Sequence, residues 1–305
     1  MNQLARIDPI TDAKSAIACN LCGGSDYALL FRKNGFDLVR CKACGLAFVA
    51  NPPDHATVGE FYSADNDYHT ELFDPQSKAF ARMQAVARTH SKILRRSLAD
   101  GAGRRLLDVG CSAGLFLNEA RSAGFTVQGV ELSPQSSEFA RSYFGLDVHT
   151  GLLDTAAYEA ESFDVITLFD VIEHVPDPLA ELKAIRKLLK PGGLLLQSTP
   201  NIDGLFPRLS YPLARKLDYW PHPEPPHHLY QFSVKTLSAM TAKAGFEPGR
   251  VDQLRIGLDY SFGTPEHWKI SKKLVPYALL FAPSAIVGPW IGMGDWFYLA
   301  ARKPA

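Results

Sequence analysis

Leu107-Asp108-Val109-Gly110-Cys111-Ser112-Ala113-Gly114, with Val130-Glu131 further on, is the stretch whose reading decides the fold. The apolar run Arg105–Val109 reads as a strand. It drops into a Gly-containing turn and resumes as the helix-like Leu115-Phe116-Leu117-Asn118-Glu119-Ala120. A second apolar run, Thr126–Val130, ends on the acid Glu131. Strand, tight turn, helix N-terminus and an acid on the next strand together make a nucleoside pocket. Glycine lets a ligand approach the backbone, and the carboxylate accepts hydrogen bonds from two ribose hydroxyls.

The turn also narrows the ligand. A dinucleotide site wants G-x-G-x-x-G, because a pyrophosphate must sit on the helix N-terminus. Here the spacing is Gly110-x-x-x-Gly114, Ser112 stands in the middle glycine position, and Asp108 lies just ahead. A carboxylate repels a pyrophosphate and attracts a sulfonium and a free amino group. The chemistry favours a cationic nucleoside, S-adenosyl-L-methionine, over a dinucleotide.

Downstream, strands and helices alternate. Phe163–Phe169 reads as a buried strand ending at Asp170-Val171-Ile172-Glu173-His174-Val175-Pro176-Asp177-Pro178. Leu179–Leu189 has helical period and stops at Lys190-Pro191-Gly192-Gly193; Leu194–Thr199 is the next strand, closed by Pro200-Asn201. DVGCSAG, GVELS, FDVITLFDVIEHVPDP, LLKPGGLLLQSTPN and the later KAGF, five motifs in order, resemble a class I S-adenosylmethionine-dependent methyltransferase over roughly residues 85–255.

That resemblance implies an α/β fold: a Rossmann-like, mostly parallel seven-stranded sheet flanked by helices, with Asp295–Arg302 as its last strand. It assigns the turn (Asp108, Gly110, Cys111, Ser112, Gly114) to the methionine part of the cofactor and Glu131, beside Leu132, to the ribose. It places Leu153 or Asp154 near adenine, and Asp170, Val171 and the residues up to His174 beside the methyl group. Ser112 departs from the commonest glycine pattern but is small enough for close approach.

Length and composition set the bounds. At 305 residues and 46% hydrophobic, the chain can bury a full core and carry smaller modules. The reading is residues 1–52 as an N-terminal module, 53–100 as linker, lid and first helix, and 101–305 as the catalytic domain. With 32 basic and 32 acidic residues and no long basic run, the chain lacks the charge that nucleic-acid binding draws on. Met1–Asp8 is too polar for a signal peptide, so a cytoplasmic enzyme is expected.

Four of the five cysteines fall as Cys19-x-x-Cys22 and Cys41-x-x-Cys44, each pair followed closely by glycine. Two such knuckles presenting four thiolates are a zinc-ribbon signature, weighed here against redox disulfides and iron. Four cysteines close the metal shell, so Zn2+ is expected to be structural. Tyr27–Val39 suits a short hairpin within the ribbon. Its basic and aromatic residues are few and are balanced by Asp26 and Asp37, which favours a substrate-side platform over an RNA grip. Cys111 reads as a small buried residue rather than a nucleophile.

On the substrate side, Asp74–Ala99 reads as a helix, and Tyr62 and Tyr68 before it are candidate lid residues. Residues 201–231 are dense in proline, tyrosine and histidine and belong at the catalytic face; Ser233 then caps a helix. HHLYQFSVKTL resembles the corresponding segment of methyltransferases acting on sugars, quinones and other small metabolites. The sulfonium activates the methyl group, so the enzyme must align an attack and remove a proton. His227 and His228 are the leading base candidates and His174 is third.

Residues 274–293 carry no charge, but Pro276, Pro283, Gly288 and Pro289 interrupt them. An insertion that roofs the pocket or makes a dimer contact is expected rather than a spanning helix; a membrane-surface contact that receives a lipid-linked acceptor is the alternative. The sequence favours methyl transfer to oxygen or carbon of a small-molecule acceptor, with a glycosyl or lipid-linked one as the finer reading. An RNA methyltransferase and a non-catalytic cofactor-binding protein are the competing readings.

Overall fold

The computed structural model describes residues 17–53, 73–98, 100–210, 227–263 and 274–305. Tyr62, Tyr68 and the stretch from Tyr211 to Pro226 lie outside the described residues.

Seven strands form the main sheet: β4 (Arg105–Val109), β5 (Thr126–Glu131), β6 (Val148–Thr150), β7 (Phe163–Phe169), β8 (Leu189–Pro200), β10 (Glu247–Leu254) and β11 (Trp296–Arg302). Their order is β10-β11-β8-β7-β4-β5-β6, parallel except for β11, which runs antiparallel to both β8 and β10. Val165, Ile166, Thr167 and Leu168 of β7 are all buried, as a strand covered on both faces requires. β4 lies between β5 and β7, where the winding reverses, and the crevice beyond its C-terminal end is the ligand position of such sheets.

Helices cover the sheet: α1 (Lys78–Ser97), α2 (Leu115–Ser122), α3 (Pro134–Phe144), α4 (Pro178–Leu188) and α5 (Val234–Lys243). Their starts are written locally. Ser77, Ser133 and Asp177 each accept a backbone N–H of the first turn, and Ser233 and Thr236 bond reciprocally in a capping box. Helix α1 therefore begins after Ser77 rather than at Asp74, which serves the preceding turn by accepting the Gln76 N–H at 2.9 Å.

Two sequence expectations need correction. Lys190–Gly193, read as a turn, belongs to β8. Gly192 and Gly193 bond to Lys303, at 2.9 and 3.0 Å, and the pairing with β7 slips between Phe163 and Val165 as a bulge. The apolar insertion is not broken at Pro283: α7 (Leu274–Val287) follows the short α6 (Leu258–Phe262) and runs through that proline before a 3-10 turn at Gly288–Ile291. A proline inside a helix forfeits one hydrogen bond. Packing of Tyr277, Ala278, Phe281 and Ala285 against Phe206 and Phe262 offsets that loss. No helix among the described residues is long and apolar enough to cross a membrane.

The N-terminal module is a smaller sheet, β1 (Tyr27–Lys33), β2 (Phe36–Cys41) and β3 (Ala47–Val49). Its fourth strand comes from far along the chain: β9 (Tyr230–Gln231) pairs antiparallel with β3. Leu21, Val39, Leu46 and Phe48 share one buried cluster with Val109, Phe163 and Ile185 of the main sheet and its helices, so module and domain pack as one core.

Candidate active site

After β4 the chain turns through Gly110 (φ 75°), Ser112 (φ 48°) and Gly114 (φ 80°). A Cβ on Gly110 would collide with Val171, and one on Gly114 would lie 2.6 Å from Leu146 and 2.9 Å from Ala140. Both glycines are thus required by conformation and by space. The turn is clipped to the neighbouring strand: Gly110 and Cys111 donate to the Val130 carbonyl, at 2.8 and 3.1 Å. Gly114 precedes α2 without a side-chain cap, which leaves the first-turn N–H groups of that helix for a ligand.

Glu131 ends β5 beside this turn, its carboxylate accepting the Ser112 N–H at 2.7 Å and the Ser133 N–H at 2.8 Å. Burial raises its pKa and these backbone bonds lower it. Leu132 is half-buried next to it. Asp108 sits beneath the turn. It is buried, accepts the Thr167 hydroxyl at 2.5 Å, and is pushed up to about 7 by burial, with Thr167 opposing and Glu131 adding. Cys111 is buried against Gly129, its thiol pushed up by burial, which makes it a packing residue. Leu153 is buried in a 3-10 turn that carries Asp154.

The other wall follows β7. Asp170 holds a left-handed backbone (φ 56°), and its Oδ1 accepts the Ser198 hydroxyl at 2.9 Å and the Trp296 indole N–H at 2.7 Å. Burial raises its pKa to about 6 against those two bonds. A non-glycine residue held at positive φ is a strain the surroundings must enforce, and such positions gather at functional sites. Val171 rests on Gly110, which joins this wall to the Gly110–Gly114 turn.

Two of the three candidate histidines, His174 and His228, bring their rings together here, and His227 joins through its backbone carbonyl. His174 Nδ1 lies 2.7 Å from the His227 carbonyl, and the His174 and His228 rings meet edge to face at 4.5 Å. Glu173 joins them, with an oxygen 4.0 Å from His228 Nε2. Its backbone carbonyl accepts the Leu229 and Tyr230 N–H groups, at 2.9 and 3.1 Å, locking the two segments together. Burial lowers His174 to about 4, so its imidazole is neutral near pH 7. Sequence reasoning singled out His174 and took Glu173 only as part of the Asp170–His174 stretch; the acid three residues after Asp170 and directly before a histidine was the available signal. Trp296 and Ser198 carried no local signal at all.

The four cysteines also converge, their sulfurs lying within 4.8 Å of one another. Cys19–Cys44 and Cys22–Cys41 are each separated by 3.5 Å, close to the roughly 3.8 Å edge of a tetrahedron of thiolates about 2.3 Å from a zinc ion. Both knuckles share one backbone pattern. Cys19 and Cys41 accept the N–H of Gly23 and Gly45, and donate to the carbonyls of Gly24 and Leu46. The set fits a four-thiolate metal. The first knuckle also touches the segment that follows this wall, since Asn20 donates to Asp177 at 2.8 Å and accepts the Leu179 N–H at 3.1 Å.

A family model described as a methyltransferase domain matches residues 76–250. The chain is 40% identical over 111 residues to a ubiquinone biosynthesis O-methyltransferase of Neisseria meningitidis, covering 34% of this chain and 47% of that one. It is 42% identical over 106 residues to the protein of that name from Xanthomonas axonopodis pv. citri, covering 33% and 44%. The match thus spans about half the length of these relatives. Among solved structures, a chain in the complex of the Haloferax volcanii Trm112 methyltransferase activator with its methyltransferase superposes with TM-score 0.55 at 15% identity, covering 80% of this chain and 100% of that one. An S-adenosylmethionine-dependent methyltransferase from Thermotoga maritima gives TM-score 0.50 at 21% identity, covering 77% and 99%. At these identities the likeness shows the fold.

Proposed function

The chain belongs to the methyltransferase-domain family as a class I S-adenosylmethionine-dependent enzyme, and from that premise we propose that it methylates a small-molecule acceptor on oxygen, with carbon as the lesser alternative. The observation that supports this reading is the packing of Val171 against Gly110, two residues before Glu173, which clusters with His174 and His228. Similarity to proteins named as O-methyltransferases supports oxygen.

The bound nucleoside supplies a methyl group already activated on sulfur. The turn from Asp108 through Gly110, Cys111 and Ser112 to Gly114 holds its methionine part and Glu131 its ribose. Leu132 stands beside Glu131, Leu153 or Asp154 borders the adenine, and Asp170 and Val171 border the methyl group. What remains for the chain is to align the acceptor and take its proton. His174, held near 4, is a weak acceptor at neutral pH, which favours His227 or His228 as the base. Cys19, Cys22, Cys41 and Cys44 of the cysteine module would hold a zinc ion in a closed four-thiolate shell, a structural role with no part in the chemistry.

The outer face of α7 and the turn after it favours a second, finer reading. Leu279 is 75% and Trp290 88% exposed, with Leu280, Ile286, Val287 and Ile291 around them. An uncharged face of this kind suits an acceptor with an apolar tail, met at a membrane surface. Incubation with labelled S-adenosylmethionine and a panel of phenols, catechols and hydroxylated sugars, with and without a lipid tail, tests both readings. An O-methyl product in the NMR spectrum is expected; methyl transfer only to RNA or to amines overturns the proposal.

A further inference from the structure

Glu173 is 1% exposed, and neither of its carboxylate oxygens makes a hydrogen bond among the described residues. The Thr199 hydroxyl is near enough to pull on its titration, yet is itself without a properly formed bond. Asp170 close by adds a second, repelling carboxyl group. A buried carboxylate left in this way is costly unless something else meets it. A proton would remove the charge, and the Thr199 hydroxyl could then meet one of the two carboxyl oxygens but not both. Something with several acceptor-seeking directions fits the place better.

We propose that Glu173, His174 and His228 form a binding site for a divalent cation, zinc or a similar borderline metal, at the acceptor side of the cofactor turn. One donor atom from each residue lies within 4.8 Å of the others. Bonds of about 2.0–2.2 Å put two ligands roughly 3–4 Å apart, so small side-chain rotations close the set. The hydrogen bond of His174 Nδ1–H to the His227 carbonyl, 2.7 Å, selects the tautomer with its lone pair on Nε2 and fixes the ring. Backbone anchoring of the second ring nitrogen is the usual support of a metal-ligating histidine. The two segments that supply the ligands are themselves locked by the bonds from Leu229 and Tyr230 to Glu173.

The two metal positions of this chain then differ in kind. Four thiolates close the shell in the N-terminal module. Two imidazoles and a carboxylate leave coordination open, the pattern of zinc sites that take a substrate oxygen. This deepens the proposed function and rests on it: the acceptor is one whose hydroxyl, or pair of neighbouring oxygens, completes the coordination. His174 and His228 become ligands, and His227 is left as the proton acceptor.

Equilibrium dialysis of the whole chain against Zn2+, followed by metal analysis, tests the site without any assay of methyl transfer. Two ions per chain are expected in the wild type and one in Glu173→Gln and in His228→Gln. Co2+ gives an independent reading, since thiolate charge-transfer absorption reports the cysteine site and bands without it report the other. A single ion per chain in the wild type, or a second ion kept by both variants, overturns the proposal. So does a wild-type Co2+ spectrum that is all thiolate. The methyltransferase reading fails separately, through absence of any O-methylated product whatever the metal content.

Discussion

Phe48 of β3 pairs with Tyr230 of β9, their rings 6.5 Å apart, and so ties the cysteine module to the strand that follows His227 and His228. Tyr230 also stacks on Phe232 at 5.9 Å, and its hydroxyl donates to the Pro176 carbonyl at 3.0 Å. The module therefore braces the histidine segment from one side and the Glu173–Asp177 segment from the other.

Loss of the proposed zinc ion should in consequence be felt in catalysis. Cys22→Ser is expected to lower zinc content and soluble yield. In the protein that folds, turnover should fall by about tenfold to a hundredfold, because small displacements of positioned groups cost that much. Affinity for S-adenosylmethionine should change little, since the Gly110–Gly114 turn is built on β4 and β5. A zinc-free variant with full turnover would contradict the bracing role.

Glu131 gives the sharpest test of the cofactor pocket. Replacing it with alanine removes a charged acceptor together with the bonds that hold Ser112 and Ser133. Hydrogen bonds to a charged group are worth about 1.5–3 kcal/mol each, so S-adenosylmethionine should bind Glu131→Ala at least about tenfold more weakly by calorimetry. Unchanged affinity would remove the pocket assignment.

The histidines separate by kinetics. His227→Ala and His228→Ala, assayed one at a time, should show a loss of turnover with cofactor affinity retained. The true base should cost about 100-fold to 10,000-fold. If neither variant slows turnover, the base lies elsewhere and the acceptor-side assignment fails with it.

What the sequence disclosed follows the range of the interactions involved. β4, β7 and the Gly110–Gly114 turn could be read because strand burial and tight turns are written in adjacent residues. Ser233 could be read as a cap for the same reason. The start of β8 could not, because Gly192 and Gly193 become strand by pairing with Lys303, over a hundred positions away. β9 is two residues long and exists because β3 offers it an edge. Pro283 misled because helix packing against Phe206 and Phe262 outweighs a local breaker. Glu173 was legible as an acid, but its burial and its distance to His228 are tertiary facts.

A last prediction concerns pH and a residue packed behind the Asp170 wall, against Phe169 and Trp296. His90 is buried, stacked on Phe169 at 4.0 Å and nearly parallel to it, with Nδ1 2.8 Å from the Tyr298 hydroxyl. Burial lowers its pKa from 6.5 to about 3. Between those values the unfolded chain binds a proton there and the folded chain does not. This group's contribution is therefore fully present above 6.5 and is lost as pH falls towards 3, by up to about 1.4 kcal/mol per pH unit. Buried carboxyls such as Asp170, raised to about 6, act with the opposite sign, so the whole-protein curve hides the effect. The difference between wild type and His90→Phe isolates it. Denaturant unfolding from pH 7 down to 5 should show the variant gaining on the wild type at each step. A constant difference over that range would mean that His90 titrates normally, and that the aromatic cluster around it admits water.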